Sequence, residues 1–382
     1  MKRLLLTSLA VVCCLIAYSQ NSNGLITRTV VYKPGDYNSL FYRIPAIITA
    51  KDGSLVITSD KRKFDNDDLP ADIDVVCNYS TDNGLTWSQP YTIAQGKGVG
   101  AGFGDAGLAR SLDENGLITV FVGGQGFFQS TAENPIRTYK CMSYDNGRTW
   151  TEPEDITHFI FGKDCDDPER KHWQGSFCAS GNGLLTSKGR IIFVAAIRET
   201  TKNGIWNHAV YSDDNGKTWH VSGRATQGIG DESKIVELND GSLLMSIRTQ
   251  GKRMFSLSYD GGETWLESPK RWQELNITAC NGDIIRYTLK RDGYEHDILL
   301  QSLPDNYTRS DVTVFVSFDE GKTWPIKKVV VPYASAYSSL CVLPDNTICL
   351  YVEERDNCTV DESYQIGYEM VFYRFTFDWL ME

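Results

Sequence analysis

Ser80-Thr81-Asp82-Asn83-Gly84-Leu85-Thr86-Trp87 is one of five copies of Ser-x-Asp-x-Gly-x-Thr-Trp; the others occupy 143–150, 212–219, 258–265 and 317–324. Asp and Gly suit a tight hairpin turn, the Ser hydroxyl can bond turn amides, and the Trp brings a large ring to be buried just after the turn. A looser second repeat places a turn before an aliphatic or β-branched run, as in Asp52-Gly53, Asn115-Gly116, Lys188-Gly189, Asp240-Gly241, Asp292-Gly293 and Asp345-Asn346. Six such units, each long enough for four short strands, predict an all-β chain folded as a six-bladed β-propeller. The sixth unit lacks the octapeptide. The strand-like segment 25–32 has no blade of its own and is expected to close the ring by joining the last one. Loops from all six blades would then converge on one end of a central channel, the natural place for chemistry.

Composition agrees. Among 382 residues, 49 acidic against 38 basic side chains leave a formal charge of −11, which argues against nucleic acid or an anionic membrane as partner but leaves room for a local basic pocket. Aromatic residues at 12% and charged residues at 23% exclude disorder and coiled coil. Five histidines without metal-ligand spacing predict no catalytic zinc, and no cofactor is implied.

Residues 1–19 read as a cleaved signal peptide: Lys2-Arg3, an apolar run too short to span a bilayer, and Ala17-Tyr18-Ser19 before Gln20. A lipoprotein anchored through Cys13 or Cys14 fits less well, because Val11-Val12 stand where small residues are needed. The expectation is a secreted or periplasmic protein with one catalytic domain over 20–382 and no stable membrane insertion. Beyond the leader remain Cys77, Cys141, Cys165, Cys178, Cys280, Cys341, Cys349 and Cys358. Their even number permits disulfides whose pairing is not legible.

Phe41-Tyr42-Arg43-Ile44-Pro45, followed by the repeated octapeptide or Asp box, resembles the bacterial sialidase family across nearly the whole mature chain. The resemblance implies an exo-α-sialidase acting on sialylated glycans. It places a carboxylate-binding cluster on Arg43, Arg248 and Arg309, far apart in sequence and joined only by ring closure; guanidinium groups suit a fixed anion because they bind two oxygens without titrating. It implies Tyr337 as nucleophile, with Tyr333 as rival, and Glu232 as the base that removes the phenol proton. A neutral phenol avoids the repulsion that a carboxylate nucleophile would meet from the substrate's own carboxylate. Sialidases with a tyrosine nucleophile are a known exception to the two-carboxylate rule.

The family's spacing selects Arg62 and Asp68 from segment 60–74, which holds six aspartates. Asp68 would be the acid/base, Asp67 its near alternative, and Arg62 would face the substrate carboxylate or hold Asp68. A Ca²⁺-binding loop is the other reading of so many acids. Asp105 is implied as a substrate-orienting aspartate, and Glu353 as the acid behind Arg43, with Glu354 facing the other side of the strand. Trp173 and Gln174 are rim candidates, and Glu237 is expected to be structural. A trans-sialidase, a hydrolase of a related nonulosonic acid and a non-catalytic glycan-binding propeller are the alternatives.

Overall fold

The computed structural model describes residues 26–202, 204–226, 228–266, 275, 277–355 and 367–382. The leader, Cys358 and Asn276 of the Asn276-Ile277-Thr278 triplet lie outside the described residues.

Strands such as Leu55–Arg62, Leu117–Gly123 and Ile191–Arg198 are buried on both faces because a neighbouring blade covers each face. Alternation then decides which neighbour each side chain meets. Val56 packs toward blade two while Leu55 and Ile57 pack toward blade six, and Ile118, Val120 and Val122 pack toward blade three while Leu117 and Phe121 pack toward blade one. One buried apolar cluster fills each junction between consecutive blades, all the way round the ring.

Blade one runs from Phe41–Thr49 to Tyr91–Ala94, and blade two has its main strands between Phe103–Arg110 and Glu154–Asp155. Blade three is built on Gly175–Cys178, Ile191–Arg198 and Trp206–Ser212, and blade four shows Ser233–Glu237, Leu243–Arg248 and Arg253–Ser258 among the described residues. Blades five and six share Ile326–Val342, which pairs with Ser310–Ser317 along its first part and with Ile348–Glu354 along its second. The ring closes as the sequence predicts, by antiparallel pairing of Thr27–Tyr32 with Glu369–Phe375. Arg28 strengthens that closure through Glu354 and Glu369.

In every Asp box the Asp carboxylate accepts the Thr N–H and hydroxyl while the Ser hydroxyl accepts the Gly N–H; in the first box Thr86 donates at 2.9 and 2.6 Å and Gly84 at 2.9 Å. Gly84 has φ +81°, and a Cβ there would lie 2.1 Å from the Phe372 ring, so only glycine fits. The Trp of each box packs into the junction with the preceding blade: Trp87 against six, Trp150 against one, Trp219 against two, Trp265 against three and Trp324 against four. The junction between blades five and six has no box to seal it. There the C-terminal helix Phe377–Met381 folds back, burying Leu380 and packing Phe377 and Trp379 on the cluster, with Phe377 stacked on Tyr287 of blade five.

Box turns also meet the other repeat. Arg148 bonds Asp52, Asn215 bonds Asp113, Arg190 bonds the carbonyl of Gly261 and the carboxylate of Glu263, and Glu320 accepts the Asn239 N–H. The two sequence repeats are thus the two halves of one inter-blade contact.

Candidate active site

The inner strands bring their first residues to one end of the channel, where a cleft of about 430 Å³ is lined by Arg43, Asp67, Asp68, Asp105, Asp231, Glu232, Arg248, Arg309 and Tyr337 on its polar side. Several of these residues sit where a strand breaks its register. Pairing shifts between Arg43 and Ala46, between Gly104 and Gly107, and between Ser335 and Ser338. Ile44 at φ 65° and Asp105 at φ 58° occupy left-handed backbone at the first two shifts. A β-branched residue there is strained. Bulges of this kind re-aim side chains out of the ladder, here into the cleft.

Glu353 anchors the site from behind. Fully buried, it accepts Arg43 Nε and Nη2 at 3.0 Å each, the Ile44 N–H at 2.8 Å and the Tyr337 N–H at 3.2 Å. One carboxylate therefore holds an arginine, the strained turn beside it and the backbone of Tyr337. Glu354 points away, to Arg28, Tyr333 and Tyr373, which also takes Tyr333 out of the cleft.

Tyr337 is 7% exposed. Its hydroxyl donates to Glu232 Oε2 at 2.9 Å and accepts from Arg248 Nη1 at 2.9 Å, and Arg248 also pairs directly with Glu232. The guanidinium carbons of Arg43 and Arg309 lie 5.0 and 5.2 Å from the centre of the Tyr337 ring. Burial and the Glu232 carboxylate push the phenol well above its ordinary pKa, against the opposing pull of Arg248, Arg309 and Arg43. The resting phenol is neutral, with its acceptor already in contact.

Across the cleft Asp68 is exposed and bonded to Arg62 at 2.6 Å. What burial its carboxyl has would raise it, but the charges of Arg62, Arg43 and Arg309 prevail and hold it below the usual carboxylate range. Arg62, expected to touch substrate or to hold Asp68, does the second. It is 1% exposed and lies behind the cleft, bonded also to the Asn66 carbonyl at 2.6 Å and to Asp60 at 3.3 Å. Asp67 lines the cleft without that arginine.

Asp105 reaches the cleft, and its N–H donates to Asp60 at 3.0 Å. Desolvation, with Asp60 and Asp68 nearby, raises the Asp105 carboxyl, and burial raises Asp60 despite the opposing pull of Arg62. Burial and Glu232 lift Asp231 to about 6.

The sequence reading did not single out Asp60 or Asp231. Alternation along Leu55–Arg62 puts Asp60 on the same face as Arg62, which was the available signal. The apolar wall of Phe127, Phe128, Ile136, Phe177 and Ile205 was also missed, because loops of blades two and three and the strand Gly175–Cys178 carry it without a motif. Trp173, expected at the rim, is instead 5% exposed in the core between those blades, and Gln174 turns back to the His172 carbonyl. A large ring with an apolar junction beside it gains more from burial than from a place at the rim. Glu237 is structural as expected, bonded to Ser187 far from the cleft.

A family model described as a BNR repeat-like domain matches residues 66–350. The chain belongs to the BNR repeat-like family. Within it the chain is similar to a sialidase of Paraclostridium sordellii, 28% identical over 84% of this chain and 82% of that one, and to a sialidase of Micromonospora viridifaciens, 31% identical over 82% of this chain and 50% of that one. It thus spans half the length of the second relative. Among solved structures the Hadza microbial sialidase Hz136 superposes with a TM-score of 0.78 at 25% identity, covering 92% of this chain and 69% of its own. This BNR repeat-like chain has the propeller of a sialidase around the cleft described above.

Proposed function

We propose that the protein is an exo-α-sialidase that removes terminal sialic acid from glycans with retention of configuration. The observation that carries the reading is the contact of Tyr337 with Glu232 and Arg248 inside a cluster of three arginines from three blades. Arg43, Arg248 and Arg309 would bind the substrate carboxylate, fixing the anomeric carbon over the Tyr337 hydroxyl. As the phenol oxygen attacks, its proton passes to Glu232, which is why a phenol that is neutral at rest can act at neutral pH. Asp68 protonates the departing sugar oxygen. In the second half-reaction it takes a proton from the water that displaces the phenol oxygen from the anomeric carbon, and Glu232 returns its proton to that oxygen.

Asp68 must hold a proton to give one, yet the arginines keep it ionised in the free site. A bound carboxylate places a negative charge among those same arginines and offsets their field, so substrate itself would raise Asp68 toward the acid form. Asp60 would hold Arg62 and the backbone of Asp105, and Asp105 would orient substrate on the far side of the cleft. Sialylated glycans are the substrate class that fits a small, arginine-lined cleft with an apolar wall, and no described helix is long and apolar enough to cross a membrane.

The test is release of 4-methylumbelliferone from its α-sialoside by the protein and by Tyr337→Phe. Turnover by the first and its loss in a folded second support the reading. A folded, inert wild type would contradict it. We further infer export with removal of residues 1–19; N-terminal sequencing of protein recovered outside the cytoplasm should begin at Gln20, and an intact leader would count against export.

A further inference from the structure

The hairpin that follows Tyr337 and precedes Glu353 holds two cysteines directly opposite one another. In the antiparallel register of Ile326–Val342 and Ile348–Glu354, Cys341 faces Cys349. Both side chains belong to the cluster between blades six and one, so they lie on the same face of the hairpin. Opposed residues in an antiparallel pair have Cα atoms roughly 4.5–5.5 Å apart. A disulfide requires about 4.4–6.8 Å. The register cannot slip easily, because the turn is pinned by Leu343 N–H to the Thr347 carbonyl at 2.9 Å and by Asn346 N–H to the Leu343 carbonyl at 2.9 Å. Among the described strand pairs no other sets two cysteines opposite: Cys77 meets Thr58 and Tyr91, Cys141 meets Thr119, and Cys178 meets Ala195.

We propose that Cys341 and Cys349 are a disulfide-forming pair that staples the hairpin carrying Tyr337 and Glu353. The bond does not depend on the functional reading above. Its placement is nevertheless telling: a slip of one residue between these strands would turn Tyr337 or Glu353 to the wrong face.

Cys341 is the less buried partner, 7% exposed against 0% for Cys349. It lines a second cleft, of about 530 Å³, where the inner strands end at the opposite mouth of the channel, while Cys349 is fully enclosed. With Cys349 closed off from solvent, Cys341 would react first. Its thiolate attacks a low-molecular-weight or protein disulfide and releases one thiol. The Cys349 sulfur, losing its proton, then attacks the Cys341 sulfur and releases the second. Two thiols of the protein are oxidised and one external disulfide is reduced to two thiols.

The full-length chain would be equilibrated with oxidised glutathione or with dithiothreitol, its remaining thiols alkylated under denaturing conditions, and its peptides mapped by mass spectrometry. No Lys or Arg lies between Cys341 and Cys349, so cleavage before Asp345 is needed to separate them. We expect two peptides joined through Cys341 and Cys349, two alkylatable thiols fewer than in the reduced sample, and a melting temperature higher by about 2–4 °C, as a short closed loop gives. Cys349→Ala should abolish that rise and leave a glutathione adduct on Cys341; Cys341→Ala, which alters the cleft-facing position, should abolish it with no adduct. Full alkylation of both cysteines after oxidation, a lasting glutathione adduct on wild-type Cys341, or a bond from either to another cysteine would overturn the proposal.

Discussion

The periphery of the propeller and the mouth of its channel treat carboxylates in opposite ways. Asp82, Asp145, Asp214, Asp260 and Asp319 of the boxes are partly solvated, and hydrogen bonds from Thr, Ser and backbone N–H groups outweigh their burial and lower their pKa, to about 2 for Asp214 and Asp260. Asp60, Asp105, Asp231 and Asp283 line or underlie the channel, and there desolvation dominates and raises them. The repeated aspartates hold the ring together. The unrepeated ones are kept at a cost to the fold, which is the pattern of a site shaped for chemistry.

Tyr337→Phe should give the largest separation of the two regions: kcat falls by about 10⁴-fold or more while the melting temperature stays near wild type, because only the reacting hydroxyl is lost. Asp68→Ala comes next. It should lower kcat by about 10²–10⁴-fold on sialyl-lactose and by much less on an aryl sialoside, whose leaving group needs little protonation. Equal losses on both substrates would remove Asp68 from the acid role.

Glu353→Gln attacks the point where scaffold and site meet. It strips the buried carboxylate charge from Arg43 and weakens the holds on Ile44 and Tyr337, so stability should fall by roughly 3–5 kcal/mol in chemical denaturation and KM should rise with it. Asp214→Ala, in a box, should cost about 1 kcal/mol and leave kcat and KM unchanged. A kinetic effect there would blur the distinction between the two regions.

The smallest effect is in the pH dependence. The unfolded chain binds more protons than the folded one at the boxes between about pH 4 and pH 2, so their contribution to stability is present above that window and is lost as the pH falls through it. For Asp231 the folded state binds more, so its contribution is present below about pH 4 and fades as the pH rises toward about 6. Denaturation of Asp231→Asn across pH 4–7 should show a flatter curve than wild type, and an unchanged slope would remove Asp231 from the raised group.

The scaffold was legible because it repeats: five boxes, six turn-and-run units and an unattached first strand are enough to specify a closed ring. The C-terminal helix that replaces the sixth box was not legible, since Trp379 and Leu380 take its place by packing, without the box's turn residues. Of the site, the charged residues and the tyrosine proposed to react could be placed through short motifs and family resemblance. The bulges that aim them could not, because a register shift depends on the partner strand. Asp60 was hidden among the aspartates of its segment, and the apolar wall comes from loops of blades two and three and the strand Gly175–Cys178, which only the ring brings together. The cysteine pairing needed the register itself.

The central claim is that Tyr337, held by Glu232 and the arginines, forms the covalent bond to the sugar. Incubation with 2,3-difluorosialic acid, whose fluorine slows breakdown of a glycosyl-tyrosine bond, followed by peptide mapping, tests it directly. The account predicts a sialosyl adduct on Tyr337, absent from Tyr337→Phe. An adduct on another residue, or turnover of substrate with no adduct on Tyr337, would contradict it.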